Sequence, residues 1–186
     1  IKLAVNGGVT IVTGGPGTGK TTVIKAILNI FSSSGISFML CAPTGRAAKR
    51  MSEASGNEAR TIHRLLETRF NSKGEHVFAH DAHNPLPYNA LIVDEVSMVD
   101  VLLMENLLRA VRDGTYLILI GDSDQLPPVG AGNVLSDLIG SDRFPVVRLN
   151  EIFRQARESL IVMNAHSINN GELPVITDRK KDFYFI

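Results

Sequence analysis

The sequence has one cysteine, no long apolar run and no net charge. Because Cys41 is the only cysteine among the 186 residues, an internal disulfide is excluded. Cys41 lies in the apolar stretch 38–42, so we expect it to be buried and inert. No apolar run approaches the ~18 residues that a membrane-spanning helix needs, and no signal peptide is visible. We therefore expect no membrane span. A start at Ile1 rather than Met suggests a fragment.

The charges balance overall but are unevenly distributed. Residues 1–89 contain 10 Lys and Arg against 5 Asp and Glu, whereas residues 90–186 contain 9 against 14. The excess of basic residues in the first half has two explanations, a solvated surface and a nucleic-acid partner. Charge alone favours the solvated surface. The basic residues concentrate at Arg46, Lys49, Arg50, Arg60, Arg64, Arg69 and Lys73.

Strand-like and helix-like segments alternate along the chain, which predicts an α/β domain with a mainly parallel sheet flanked by helices. The carboxyl ends of parallel strands would bring the motif-bearing loops to one edge. The predicted strands are 9–13, 37–42, 90–93, 116–120 and 145–149. The predicted helices are 20–31, 46–54, 100–112, 132–140 and 156–169.

Residues 69–88 interrupt this alternation. Short alternating runs, Gly74 and two prolines predict an inserted β-hairpin with its turn near 71–74. Histidines 76, 80 and 83 lie here, but no cysteine or carboxylate cluster accompanies them, so they do not predict a metal site.

The segment Gly14–Thr21 reads G-G-P-G-T-G-K-T between a predicted buried strand and a predicted helix. In that context it is typical of a phosphate-binding loop, whose amides and following helix N-terminus bind phosphate. Lys20 would reach the β- and γ-phosphates, and the Thr21 hydroxyl would ligate Mg²⁺. The predicted nucleotide-binding residues are Gly14, Gly15, Pro16, Gly17, Thr18, Gly19, Lys20, Thr21 and Thr22.

Two acids, Asp94 and Glu95, end the apolar strand 90–93. Buried carboxylates are costly without partners, so a structural role is a poor explanation for the pair. Beside a phosphate loop, Asp94 would hold Mg²⁺, directly or through water. Glu95 would polarise the attacking water as a catalytic base.

Two further side chains are catalytic candidates. Gln125 follows the strand 116–120, and its amide would sense the γ-phosphate if that strand lies beside the phosphate-loop strand; an ordinary polar loop is the alternative. Arg154 would stabilise charge on the transferring phosphoryl group. A surface ion pair is the alternative for Arg154, and Arg148 and Arg157 are rival candidates.

Together these segments resemble the RecD-like superfamily 1 DNA helicases, and most closely the stand-alone RecD-like type. The resemblance covers nearly the whole chain in order, and its 121–135 segment is specific. The matching pieces are G-G-P-G-T-G-K-T-T (14–22), A-P-T-G-R-A-A (42–48), T-I-H-R-L-L (61–66), L-I-V-D-E-V-S-M-V-D (91–100), G-D-S-D-Q-L-P-P-V-G-A-G-N-V-L (121–135), I-F-R-Q (152–155) and N-A-H-S-I-N-N-G-E-L-P (164–174).

The resemblance implies that residues 1–186 form the first of two RecA-like motor domains. It implies ATP and Mg²⁺ as cofactors, single-stranded DNA as a partner, 5′-to-3′ polarity and a bacterial cytoplasmic location. It supports catalytic roles for Lys20, Glu95, Gln125 and Arg154. The DNA-backbone contacts that it implies are Thr44, Arg46, Thr61 and His63.

The resemblance also implies parts that this sequence does not contain. An adenine-reading segment would precede residue 1, and a second motor domain with its own arginine finger would follow residue 186. The 69–88 hairpin resembles a strand-separating pin. The alternatives left open are a conjugative relaxase-type or Pif-type helicase domain and a nucleotide-dependent DNA-binding switch.

Overall fold

A computed structural model describes residues 1–6, 8–70, 76–153, 158–176 and 182–183. Eight strands are found in these residues: β1 (Val9–Gly14), β2 (Phe38–Ala42), β3 (Ala59–Thr61), β4 (Thr68–Phe70), β5 (His76–Phe78), β6 (Ala90–Val93), β7 (Tyr116–Gly121) and β8 (Val146–Leu149). The α-helices are α1 (Lys2–Val5), α2 (Lys20–Ser33), α3 (Gly45–Ser55), α4 (Ile62–Leu66), α5 (Val101–Arg109), α6 (Val134–Gly140) and α7 (Leu160–Asn169). A single 3₁₀ turn spans Val96–Met98.

Six strands form one sheet in the order β3–β2–β6–β7–β1–β8. All of its pairings are parallel, which confirms the predicted α/β architecture. β1 lies between β7 and β8, and β6 is separated from β1 by β7. The phosphate loop and the two acids therefore follow strands that are two places apart, at the same edge of the sheet.

The core consists of two apolar layers, one on each face of the sheet. Successive strand residues alternate between the layers, as a parallel sheet covered by helices on both faces requires. In β7, for example, Leu117 and Leu119 join one layer while Ile118 and Ile120 join the other. Cys41 is fully buried in the first layer. Burial raises the pKa of its thiol, as expected for an inert cysteine.

Helix ends differ from the predicted bounds for local reasons. Helix α5 begins after the N-cap Asp100, whose carboxylate accepts from the Leu103 N–H at 2.8 Å. It ends at Arg109, before a turn in which Gly114 has a φ of 82°, so the predicted end at 112 was wrong. Helix α6 starts at Val134 because Gly132, with a φ of 91°, interrupts the helical backbone.

Four short elements were not predicted: α1, β3, α4 and the 3₁₀ turn. β3 has three residues and a half-exposed Arg60, so it carries no apolar run. Helix α4 does have a signal in the sequence: the N-cap Thr61 is followed by Ile62, Leu65 and Leu66, which are all buried. That spacing is typical of a one-sided helix.

The predicted hairpin is present as an antiparallel pair, with Thr68 opposite Phe78 and Phe70 opposite His76. Its predicted turn near 71–74 lies outside the described residues. Beyond Phe78 the insert is not strand: it continues as turns in which Asp81 accepts from the backbone N–H groups of His83 and Asn84. Within the described part of the chain, no helix is long and apolar enough to cross a membrane.

Candidate functional site

The loop between β1 and α2 has the backbone of an anion-binding site. Gly17 and Gly19 adopt left-handed conformations, with φ of 74° and 85°. Gly19 is the N-cap of α2 and offers no side-chain acceptor, and the first turn of the helix contains no acidic residue. The N-terminal amides of α2 are therefore left to a ligand, and the helix dipole favours an anion there.

The loop is tightly packed from within. A Cβ on Gly14 would come within 2.7 Å of Thr18 Oγ1 and 2.8 Å of the Leu149 carbonyl oxygen. Thr18 is buried, and its hydroxyl donates to the Gly15 carbonyl at 2.9 Å. The Thr18 side chain thus shapes the loop, whereas the side chains of Thr21 and Thr22 are exposed.

Lys20 lies against the mouth of this loop. Its ammonium donates to the carbonyl oxygens of Gly14 and, at 3.0 Å, of Gly15. These bonds hold the Lys20 ammonium beside Gly14 and Gly15. When a nucleotide binds, its phosphate oxygens would replace the two carbonyl oxygens as hydrogen-bond acceptors. The position fits the charge-neutralising role predicted from the sequence.

The two acids follow β6 in an unusual backbone. The Asp94 N–H donates to the Cys41 carbonyl at 2.9 Å, which ties the end of β6 to β2. Glu95 has φ 54° and ψ 41°, a left-handed conformation that costs a non-glycine residue roughly 1–3 kcal/mol and tends to occur at functional sites. Its N–H donates to Asp94 Oδ1 at 2.9 Å.

Asp94 is half-buried, and burial raises the pKa of its carboxyl group. The charge of Glu95 adds to the increase, whereas the Glu95 N–H and the Lys20 ammonium oppose it. A carboxylate that has lost hydration and lies beside a second acid is stabilised by a cation. The electrostatics of Asp94 therefore suit a metal ligand.

One cavity of about 240 Å³ brings these groups together. Lys20 and Thr21 line it from α2, and Asp94 and Glu95 line it from the end of β6. The Thr21 hydroxyl and two carboxylates supply the hard oxygen donors that Mg²⁺ prefers, so the residues fit this ion. Arg50 of α3 also lines the cavity; the sequence marks it only as one of several basic residues, and nothing in its spacing points to this position.

Gln125 lies beside the phosphate loop, in a different cavity from the one that Lys20 and the two acids line. β7 pairs with β1, so the neighbouring-strand condition for a γ-phosphate contact is met. Gln125 lines a cavity of about 230 Å³ together with Gly15 and Pro16. Its Oε1 accepts from the buried Ser97 hydroxyl at 3.1 Å. The side chain thus bridges the loop after β7 and the segment that follows the two acids.

Arg154 and Arg157 lie outside the described residues. The residue before Arg154 is described: the Phe153 N–H donates to the Gly17 carbonyl at 3.1 Å, and its ring occupies the space that a Cβ on Gly19 would need. The rival Arg148 is exposed on β8 and lines a cavity of about 380 Å³ with Gly14 and Gly15.

The four predicted DNA-contacting residues lie near one edge of the sheet. β2 and β3 are parallel, with Ala42 opposite Thr61. Thr44 and Thr61 are N-caps: their hydroxyls accept from the N–H groups of Ala47 and Arg64, both at 3.2 Å. Their side chains therefore begin helices α3 and α4 at the edge where β2 and β3 end.

Two exposed side chains, Arg46 and His63, follow the caps Thr44 and Thr61 in the sequence. Arg46 is in the first turn of α3. The His63 ring packs against the Phe78 ring at a tilt of 56°, with ring centroids 5.9 Å apart, and so connects α4 to the hairpin. A groove of about 450 Å³ runs between α3 and α4, and its charged residues are Lys49, Arg64 and the ion pair of Arg60 with Glu58, so its balance is basic.

Comparisons with known proteins agree with this geometry. Residues 1–131 match the family model described as "AAA domain". The "ATP-dependent RecD2 DNA helicase" of Deinococcus radiodurans is 45% identical over 170 residues, which cover 91% of this chain and 23% of that protein. The "RecBCD enzyme subunit RecD" of Mycobacterium tuberculosis is 40% identical over 181 residues, covering 85% of this chain and 30% of that protein.

Among solved structures, the Pif1 helicase from Candida albicans matches with a TM-score of 0.61 at 24% identity, over 93% of this chain and 43% of that one. At this identity the likeness shows a common fold. The chain spans about a quarter of the length of the curated relatives described above.

Proposed function

Because the chain belongs to the AAA domain family and is a RecD-like superfamily 1 motor domain, we propose that it binds and hydrolyses ATP to drive movement along single-stranded DNA. The observation that carries the proposal is the single cavity lined by Lys20, Thr21, Asp94 and Glu95. Lys20 and Thr21 come 74 positions before Asp94 and Glu95 in the sequence.

Each residue has a distinct task in the proposed reaction. Gly14–Gly19 and the N-terminus of α2 hold the phosphates, and the Lys20 ammonium neutralises the β- and γ-oxygens. Thr21 and Asp94 hold Mg²⁺, which neutralises charge on the phosphates when it is bound. Glu95 orients the attacking water and accepts its proton.

Two further residues complete the proposed site. Gln125 reports the γ-phosphate to the segment that contains Ser97, with which it shares a hydrogen bond. Arg154 stabilises charge on the transferring group from within this domain. The proposal includes a second motor domain of the same protein, which closes on the nucleotide, and a bacterial cytoplasmic location.

For DNA, we propose that the strand crosses the edge formed by the N-termini of α3 and α4. Thr44, Arg46, Thr61 and His63 contact its backbone, with 5′-to-3′ polarity as the family resemblance implies. The exposed Arg46 and the adjacent basic groove support this path, because phosphate contacts dominate non-specific affinity. The β4–β5 hairpin acts as the strand-separating pin.

A nucleotide-dependent switch is the principal alternative of a different class. The presence of Glu95 favours hydrolysis, because a protein that only binds ATP needs no water-activating acid. The strained backbone of Glu95 and its position beside a metal-ligand candidate support this role. A Pif-type motor shares the fold, but the two relatives of RecD type are more similar in sequence, at 45% and 40% identity against 24%.

The test compares Glu95→Gln with Lys20→Ala in the complete protein. Glu95→Gln preserves shape but removes the base, so a fluorescent ATP analogue should bind as it does to the wild type while hydrolysis falls by ~10²–10⁴-fold. Lys20→Ala should lose binding itself. Normal turnover by the Glu95→Gln variant would contradict the assigned base, and unchanged affinity in the Lys20→Ala variant would contradict the phosphate-loop assignment.

A further inference from the structure

The phosphate loop is contacted from outside by helix α7, which lies beyond the residues that the AAA domain model matches. The match ends at residue 131, whereas α7 spans Leu160–Asn169. His166 of α7 lies on the loop: its Nε2 is 3.0 Å from the Pro16 carbonyl oxygen. Since a carbonyl oxygen only accepts hydrogen bonds, Nε2 must carry the proton and donate.

The same ring accounts for the glycine at position 15. A Cβ there would come within 2.6 Å of His166 Cε1, closer than side chains tolerate. In phosphate loops of the form G-x-x-x-x-G-K-[ST], the position after the first glycine is variable. Here an added Cβ would have to displace the histidine ring, so the ring disfavours any side chain at position 15.

Helix α7 is itself held rigidly. Asn164 is 2% exposed and makes two hydrogen bonds of 2.8 Å to Val175, one to its carbonyl oxygen and one from its N–H. At the N-terminus of the helix, the Ser159 hydroxyl and the Leu160 N–H both donate to the carboxylate of Asp182. A helix anchored at its start and its middle holds His166 in place at little additional entropic cost.

We propose that His166 is a positioning residue for nucleotide binding, which holds the Gly15–Pro16 backbone so that the loop is ordered before phosphate arrives. It touches the loop and not the reacting atoms, so its removal should weaken nucleotide binding more than it slows the chemical step. The inference rests on the proposed function, because it concerns the same phosphate site.

The experiment measures the affinity of a fluorescent ATP analogue, and KM and kcat for ATP, in the complete protein. Removal of one net hydrogen bond predicts roughly 3- to 10-fold weaker binding for His166→Ala, with KM raised and kcat nearly unchanged. His166→Gln, which keeps an N–H donor, should recover most of the affinity. Ile168→Ala is the matched control, since that side chain is exposed on the same helix.

A double-mutant cycle separates this hydrogen bond from general damage to the fold. Gly15→Ala should weaken binding through the clash with the ring, and the same substitution should cost much less in the His166→Ala background. Equal costs of Gly15→Ala in both backgrounds, or wild-type affinity in His166→Ala, would overturn the proposal. If the wild-type protein showed no saturable ATP binding, the proposed function would fail and the positioning role with it.

Discussion

At the scale of single residues, the candidate site combines groups that are costly to hold apart from their ligands. Asp94 is half-buried with a raised pKa, Glu95 has a left-handed backbone, and Lys20 bonds only to main-chain oxygens in the described structure. A bound phosphate would give the Lys20 ammonium an anionic partner, and a bound cation would offset the charge of Asp94. The presence of these three groups in one cavity supports a nucleotide site more strongly than any one sequence motif does.

The functional residues of the site could be predicted from the sequence, but the contacts that hold them in place could not. Lys20, Asp94 and Glu95 lie in local motifs whose chemistry follows from adjacent residues. The hydrogen bond between His166 and Pro16 joins positions 150 apart, and only the packing of α7 decides it. The raised pKa of Asp94 depends likewise on burial and on a lysine from another element.

Arg46 provides a test of the DNA edge at the residue scale. Arg46→Ala in the complete protein should weaken single-stranded DNA binding about equally for all sequences, because an interaction with the DNA backbone carries no base information. The slope of log affinity against log salt should become shallower by roughly 0.7, since the variant neutralises one phosphate fewer. Fluorescence anisotropy with oligonucleotides of two compositions, across a salt series, measures both quantities.

The control for this measurement is Arg112→Ala. Arg112 is also an exposed arginine, but it precedes β7 at the opposite edge of the sheet. Its removal should leave the salt slope unchanged. A sequence-selective decrease in affinity for Arg46→Ala with an unchanged slope would indicate base recognition, and an equal effect of Arg112→Ala would indicate a general effect of charge.

At the scale of elements, the strands and helices with clear apolar periodicity formed as predicted. The elements that escaped prediction are short: α1 has four residues, α4 five, and β3 and the 3₁₀ turn three each. β3 is defined by pairing with β2 and not by its own composition. Thr61 gives α4 a definite starting point, and Thr44 does the same for α3. The resemblance alone describes both threonines only as DNA contacts.

The hairpin gives a prediction at the element scale. Replacing residues 69–77 by Asn-Gly should leave Thr68 and Phe78 opposite each other, closed by a tight turn. Because the strands of the hairpin pair only with each other, the fold should survive. If the hairpin is a pin, DNA-stimulated ATP hydrolysis persists while opening of a forked duplex fails.

Phe78→Ala is the matched variant for this experiment. It keeps the length of the hairpin and removes the Phe78 ring, which contacts His63 and also packs against one apolar layer of the core. It therefore tests these contacts separately from the removal of the wedge. An equal decrease in hydrolysis and unwinding after the hairpin is shortened would show that the insert serves folding or DNA grip instead.

At the scale of the whole molecule, the strand order creates the site. Alternating segments predict a parallel sheet, but they do not say which strands are neighbours. The order β6–β7–β1 brings the acids after β6 and the loop after β1 to one edge, and Gln125 follows β7, the strand between those two. The proposed DNA path lies at the ends of β2 and β3, on the far side of β6, so we expect nucleotide and DNA to contact different strands of one sheet.

The most direct test of an ATP-driven DNA motor is the rate of ATP hydrolysis by the complete protein, measured with and without oligodeoxythymidine. We expect single-stranded DNA to raise turnover, and we expect both Lys20→Ala and Glu95→Gln to abolish the stimulated rate. Turnover that does not respond to DNA, or stimulated turnover that persists in the Lys20→Ala variant, would contradict a motor built on this site.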